Sequence, residues 1–220
     1  MGETLLRNRL KKQADHFARR SHQGEGIFKL ERFRFISIDK LAEWALRLCF
    51  LWNRAHWNIF DIQTVAQEWL LPGLPEAFDG FRLLQLTDLH LDIAPDLAPA
   101  IARAVESCPH DAMCITGDFR NTTQADHGPS MALLPQILEV TEAPIFGVLG
   151  NHDFIEKVER LEGYGMRILL NESTSLERSG QQLWIAGVDD PHFYRTHDFA
   201  AAKRSIPADA CSILLCHSPE

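Results

Sequence analysis

The strongest constraint on this chain is a series of short, mainly apolar runs separated by helix-like stretches. The runs are Phe81–Leu86, Ala112–Thr116, Pro144–Leu149, Met166–Leu170, Gln182–Ala186 and Cys211–Cys216. Apolar residues at consecutive positions mark strands that are buried on both faces. Between them, Pro95–Ser107 has helical spacing, with Leu97, Ile101, Ala104 and Val105 on one face. Pro129–Val140 reads as a second helix, kinked or broken at Pro135, and Phe154–Leu161 as a third. This β-α-β-α-β order predicts an α/β fold, a layered sheet core flanked by helices.

Four of the runs end in polar motifs. Asp88-Leu89-His90 follows the first and Gly117-Asp118 the second. Gly150-Asn151-His152-Asp153 follows the third, and His217 the last. Asp-x-His alone is an ordinary turn, and Gly-Asp is commoner still. Gly-Asn-His-Asp after an apolar strand is more specific. In open α/β sheets, ligands bind beyond the carboxyl ends of strands, so folding would gather all four motifs on one rim. Mixed carboxylate, amide and imidazole donors suit Mn, Fe or Zn better than calcium.

With these four signatures in this order, the chain resembles the calcineurin-like metallophosphoesterases over roughly residues 81–220. Leu84-Gln85-Leu86-Thr87-Asp88-Leu89-His90-Leu91 and Ala186-Gly187-Val188-Asp189-Asp190-Pro191 look like the bacterial membrane-associated branch. The resemblance implies two divalent metal ions, with Asp118 shared between them. Asp88 and His90 would hold the first, and Asn151 and His217 the second. It gives His152 the part of proton donor to the leaving oxygen. The substrate would be a phosphomonoester, phosphodiester or pyrophosphate. Some members of the wider superfamily cleave UDP-2,3-diacylglucosamine, the first alternative. The second is a non-catalytic relative acting as a membrane or partner adaptor.

Other positions carry weaker expectations. Arg120 either reaches a substrate phosphate or is a solvated loop arginine. Where the phosphatase branch has a second acid three residues after Gly-Asp, this chain has Asn121, which leaves Asp153 to orient His152. The family's closing Gly-His-x-His motif does not occur in these residues, so the expectation is a chain whose carboxy-terminal part is missing and which is inactive by itself.

Charge divides the chain differently. Residues 1–56 hold 12 Lys/Arg against 6 Asp/Glu, and residues 57–220 hold 10 against 24. The reading is a basic helical extension, 1–56, and a phosphoesterase domain, 57–220. The extension reads as a polar helix, a loose connection around Gly24-Glu25-Gly26, and an amphipathic helix over 38–56, capped at Asp39. That second helix either lies on an anionic membrane surface or packs on the body. Residues 57–70 have strand character. The acidic body argues against a nucleic-acid partner. The five cysteines form no C-x-x-C pair, which suits a reducing, cytoplasmic setting, peripheral to the membrane's cytoplasmic face.

Overall fold

A computed structural model of the protein describes residues 1–19, 38–121 and 127–219. The connection expected around residues 24–26 lies outside the described residues. Four strands form a parallel sheet in the order β1-β2-β3-β4: β1 Leu83–Leu86, β2 Ala112–Ile115, β3 Ile145–Gly147 and β4 Met166–Ile168. The crossovers carry α4 (Leu97–Ser107), then α5 (Gly128–Leu133) and α6 (Pro135–Leu138), then α7 (Val158–Gly163). Proline begins α6, so the break falls where the sequence places it.

Strand residues alternate between two cores. Met113 and Ile115 of β2 join Ile101 and Val105 of α4, Ile137 and Leu138 of α6 and Leu161 of α7. Ala112 and Cys114 face the other way, with Phe146, against Ile185 and Leu215 of a second sheet. That sheet has the order β5-β6-β7: β5 Glu172–Arg178, β6 Gln181–Gly187 and β7 Ser212–Leu215. β5 and β6 are antiparallel, while β6 and β7 run parallel around α8 (Phe199–Lys203). The first sheet is therefore covered by helices on one face and by a sheet on the other. Burial between the layers pushes the Cys114 thiol up to about 12.

Three expectations change. β5 has one large apolar residue, Leu176, so a search for apolar runs passes over it. It is half-buried and held by its hairpin, whose Ser179 and Gly180 both have positive φ, as a tight two-residue turn requires. The helix expected over 38–56 is two helices, α2 (Ile38–Leu48) and α3 (Trp52–Asn58). Phe50, at φ 58°, stops α2; its N–H donates to Arg47 O and that of Leu51 to Leu46 O, a Schellman ending without glycine. Finally, residues 61–70 form no strand and are exposed. Apolar character alone does not make a strand where no neighbouring strand supplies hydrogen bonds.

At the other end, α1 (Glu3–Arg19) lies against the body along a mostly polar face. Met1 packs on the helix-side core, and Arg9 and Gln13 are buried.

Phe146, 5% exposed, sits between the two sheets. Phe146→Ala should lower unfolding stability by about 3–5 kcal/mol, read from urea denaturation.

Candidate metal centre

Each motif occupies the first residues beyond a strand's carboxyl end, and the backbone there is unusual. Asp88 (φ 52°), His90 (φ 42°) and Asp118 (φ 56°) are all in the left-handed region, as is Gly117 (φ 96°). Non-glycine residues hold such conformations only where surroundings impose them, and they cluster at functional sites. Pairing between these loops continues past the strands: Asp88 N–H donates to Gly117 O and His90 N–H to Asp118 O, both at 3.1 Å.

The loops after β2 and β3 press together where glycine leaves room. A Cβ on Gly117 would meet Gly150 N at 2.4 Å, and one on Gly150 would meet Asp118 Oδ1 at 2.1 Å. Asp153, fully buried, fastens this contact. Its carboxylate accepts from the N–H groups of Asp118 (2.7 Å), Gly150 (3.0 Å) and Phe119 (3.2 Å), and from Lys157 Nζ (2.8 Å). Burial alone would raise its pKa. The Lys157 charge and these hydrogen bonds more than offset that, and hold the carboxyl below its ordinary value.

Around this anchor the donor atoms converge. A carboxylate oxygen of Asp88, one of Asp118 and a ring nitrogen of His217 lie within 4.8 Å of one another. His217 Nδ1 is 2.8 Å from Thr116 O. A carbonyl only accepts, so in the neutral imidazole Nδ1 carries the proton and Nε2 presents a lone pair. That lone pair faces Asn151 Oδ1 at 3.1 Å and Asp118 Oδ2 at 3.6 Å. His90 Nε2 lies 3.7 Å from Asp88 Oδ1 and 4.0 Å from Asp118 Oδ2. Burial, then the nearby Asp153 charge, raises the Asp118 pKa, with His217 opposing them. Lone pairs and carboxylates gathered in this way suit a divalent cation.

His152 stands at the edge of this group. Its N–H donates to Asp118 Oδ1 at 2.9 Å, and its Nε2 is 4.0 Å from Asp118 Oδ2. Its ring packs edge-on against His90, with centroids 5.6 Å apart. The His152 side chain is 30% exposed and that of Asp88 50%, so the centre opens to solvent.

Asp88, His90, Asp118, Asn151, His152 and His217 thus come together. Arg120, expected either at a substrate phosphate or in solvent, is not solvated. It is buried, its Nε donates to His152 O at 2.9 Å, and its guanidinium lies over the Phe154 ring. Asp153 does not orient the His152 ring, because its oxygens are turned to backbone N–H groups and Lys157. Asn121 lies outside the cluster, its N–H bonded to Asp92 Oδ1.

The family model for calcineurin-like phosphoesterase matches residues 81–202. The chain belongs to this family. Among curated relatives of this chain is a UDP-2,3-diacylglucosamine pyrophosphatase, LpxG, of Chlamydia muridarum. It is 32% identical over 118 residues, which is 51% of this chain and 34% of that protein. The LpxG of Chlamydia trachomatis is 30% identical over the same shares. An uncharacterized metallophosphoesterase of Bacillus subtilis, YkoQ, is 30% identical over 54% of this chain and 46% of its own length. The matched parts therefore span between about a third and a half of these relatives. A solved structure of a protein of unknown function from Aquifex aeolicus aligns with 60% of this chain and 76% of its own, at 16% identity and TM-score 0.33.

The residues of the site that the sequence does not single out are its supports. Lys157 is 1% exposed and stands four residues after Asp153, the one local signal available. Asp153→Asn should cost about 3–5 kcal/mol at neutral pH, since it leaves Lys157 buried without its counter-charge. A lowered carboxyl pKa contributes stability above the unfolded value, near 3.9, and loses it as pH falls toward the folded value. The gap between variant and parent in urea denaturation should therefore narrow below about pH 4.

Proposed function

We propose that this protein hydrolyses a phosphate ester at a dinuclear metal centre. The reading rests on one observation above the others, the His217 Nε2 lone pair aimed at Asp118 and Asn151 oxygens while its Nδ1 is engaged by Thr116 O. Asp88 and His90 would hold one cation, Asn151 and His217 the other, with Asp118 shared. Mn, Fe or Zn fits these donors. Two such cations neutralise phosphoryl oxygens and lower the pKa of a bound water.

The chain's own residues do the rest. Thr116 O fixes the His217 tautomer and turns its lone pair inward. Asp118 both faces the cluster and, through Oδ1, holds the His152 backbone. Arg120 holds the His152 carbonyl from below. The ring so placed donates a proton to the leaving oxygen of the ester.

A pyrophosphate linkage in a lipid-linked nucleotide, as in the name of the two chlamydial relatives, is the narrower reading. The exposed apolar side chains of the extension support it, because a lipid-borne substrate resides at a membrane surface. No helix among the described residues is long and apolar enough to cross a membrane. Trp44, Leu48, Phe50 and Trp57 are all exposed, on or beside a segment whose net charge is positive. On this reading the exposed apolar residues of the extension, 1–56, rest on an anionic bilayer at its cytoplasmic face while α1 stays docked on the body. A non-catalytic adaptor is disfavoured by the presence of all six residues of the cluster.

His152→Ala should lower kcat by roughly 10²–10⁴-fold on a poor leaving group, with bound metal near the parent's level. The loss should shrink on nitrophenyl esters, whose leaving group needs little protonation. Asp118→Asn should instead strip most of the metal, read by elemental analysis. Equal losses on both ester classes would remove His152 from the acid's role.

Sedimentation with vesicles tests the membrane reading. Binding should require anionic lipid and weaken with salt, at about 1 kcal/mol per basic residue near the surface. Trp44→Glu with Leu48→Glu should abolish it. Equal binding to neutral vesicles would count against the reading.

A further inference from the structure

α1 lies outside the matched family region, yet its polar face reaches the backbone that carries the catalytic loop. Arg9 is 0% exposed. Its Nη2 donates to Asp153 O at 2.9 Å, its Nε lies 3.5 Å from Asp189 Oδ2, and its guanidinium stacks 3.2 Å from the Tyr194 ring centroid. One turn on, Gln13 Oε1 accepts the Ile155 N–H at 2.9 Å, while Gln13 Nε2 donates to Glu156. Lys12 donates to Tyr194 O. The same helix face thus holds the loop at Asp153 and Ile155 and ties it to the segment after β6.

Burying a guanidinium is costly unless its partners are well placed. Apolar packing would have seated this helix at lower cost. Here the buried charge is instead directed at one carbonyl of the loop. His152 O and Asp153 O, consecutive carbonyls, are each held by a buried arginine, Arg120 and Arg9. The carboxylate of Asp153 meanwhile holds the loop after β2. A change at Arg9 is therefore one residue removed from His152 and two from Asn151.

We propose that Arg9 is a positioning residue for the metal-loop, and that α1 is a strap holding Asn151 and His152 in register with Asp118. This rests on the phosphoesterase reading for its consequence in catalysis. The strap itself acts on the loop and is testable without turnover.

Three variants of the intact protein separate the explanations: Arg9→Gln, Arg7→Gln, and Arg9→Met combined with Asp189→Asn. Arg7 lies on the exposed side of α1, paired with Glu3, and serves as control. Amide hydrogen exchange over residues 150–155 is measured by mass spectrometry, Mn²⁺ affinity by calorimetry, and kcat and KM on bis-nitrophenyl phosphate. Arg9→Gln should speed exchange over 150–155 while β1–β3 amides stay protected. Mn²⁺ affinity or kcat should fall about 10–100-fold, the usual scale for supports behind metal ligands, with KM little changed. Arg7→Gln should match the parent. The double variant leaves no buried charge alone. It should regain stability lost in Arg9→Gln while the loop's exchange and the Mn²⁺ affinity stay altered.

Normal exchange and Mn²⁺ affinity in Arg9→Gln would overturn the proposal. So would a double variant that recovers loop protection together with stability, for then Arg9 only neutralises Asp189. A parent that binds no Mn²⁺ and turns over no ester would refute the phosphoesterase reading, and exchange alone would then decide the strap. If Arg9→Gln fails to fold, the double variant decides between the two outcomes by the same readouts.

Discussion

The Asp153 carboxylate is the interaction on which the rest of the centre depends. Three backbone N–H groups, from two loops, end on it, and Lys157 supplies its counter-charge. The loops after β2 and β3 carry Asp118, Asn151 and His152. Their relative placement is thus set by a buried ion with four donors, a far stiffer joint than side-chain packing would give. Because the joint is made to backbone, it places Asp118, Asn151 and His152 without engaging their side chains.

Close approach of the loops has its own requirement. Gly117 and Gly150 meet with no space for a Cβ on either, and the second of these contacts is with Asp118 itself. Each of these glycines in the motifs is thus explained by the distance between two backbones. The left-handed Asp88, His90 and Asp118 show the cost of turning two short loops, those after β1 and β2, inward at once. Hydrogen bonds between neighbouring loops, continuing the strand ladder, keep them there.

Much of this was legible in the chain itself, and the limits follow from what a linear pattern records. Strands of the two sheets leave mainly apolar runs, so β1, β2, β3, β4, β6 and β7 could be found, with the motifs at the ends of β1, β2, β3 and β7. β5 leaves no such run because it is only half-buried and its pairing comes from the hairpin. The strand expected over 57–70 had the composition but no partner. Among the site residues, Asp88, Asn151 and His217 announce themselves by position after strands. Arg120 does not, since nothing local distinguishes an arginine aimed at a phosphate from one buried beneath a histidine's carbonyl. Arg9 was invisible for a similar reason. Its partners lie 144 residues and more away, and a helix docked by a polar stripe has no apolar periodicity to betray it.

His217 sits on the second sheet, through β7, whereas Asp88, Asp118 and Asn151 sit on the first. Two layers joined by apolar side chains can slide, because such contacts are nearly indifferent to small lateral displacement. A cation shared between His217 and Asp118 is not indifferent, since coordination tolerates only tenths of an ångström. Occupied, the centre would be a rivet through the sandwich, and shear between the layers would be read out as metal affinity. Residues far from the chemistry, such as Phe146 and Ile185 in the seam, thereby gain a mechanical influence on it.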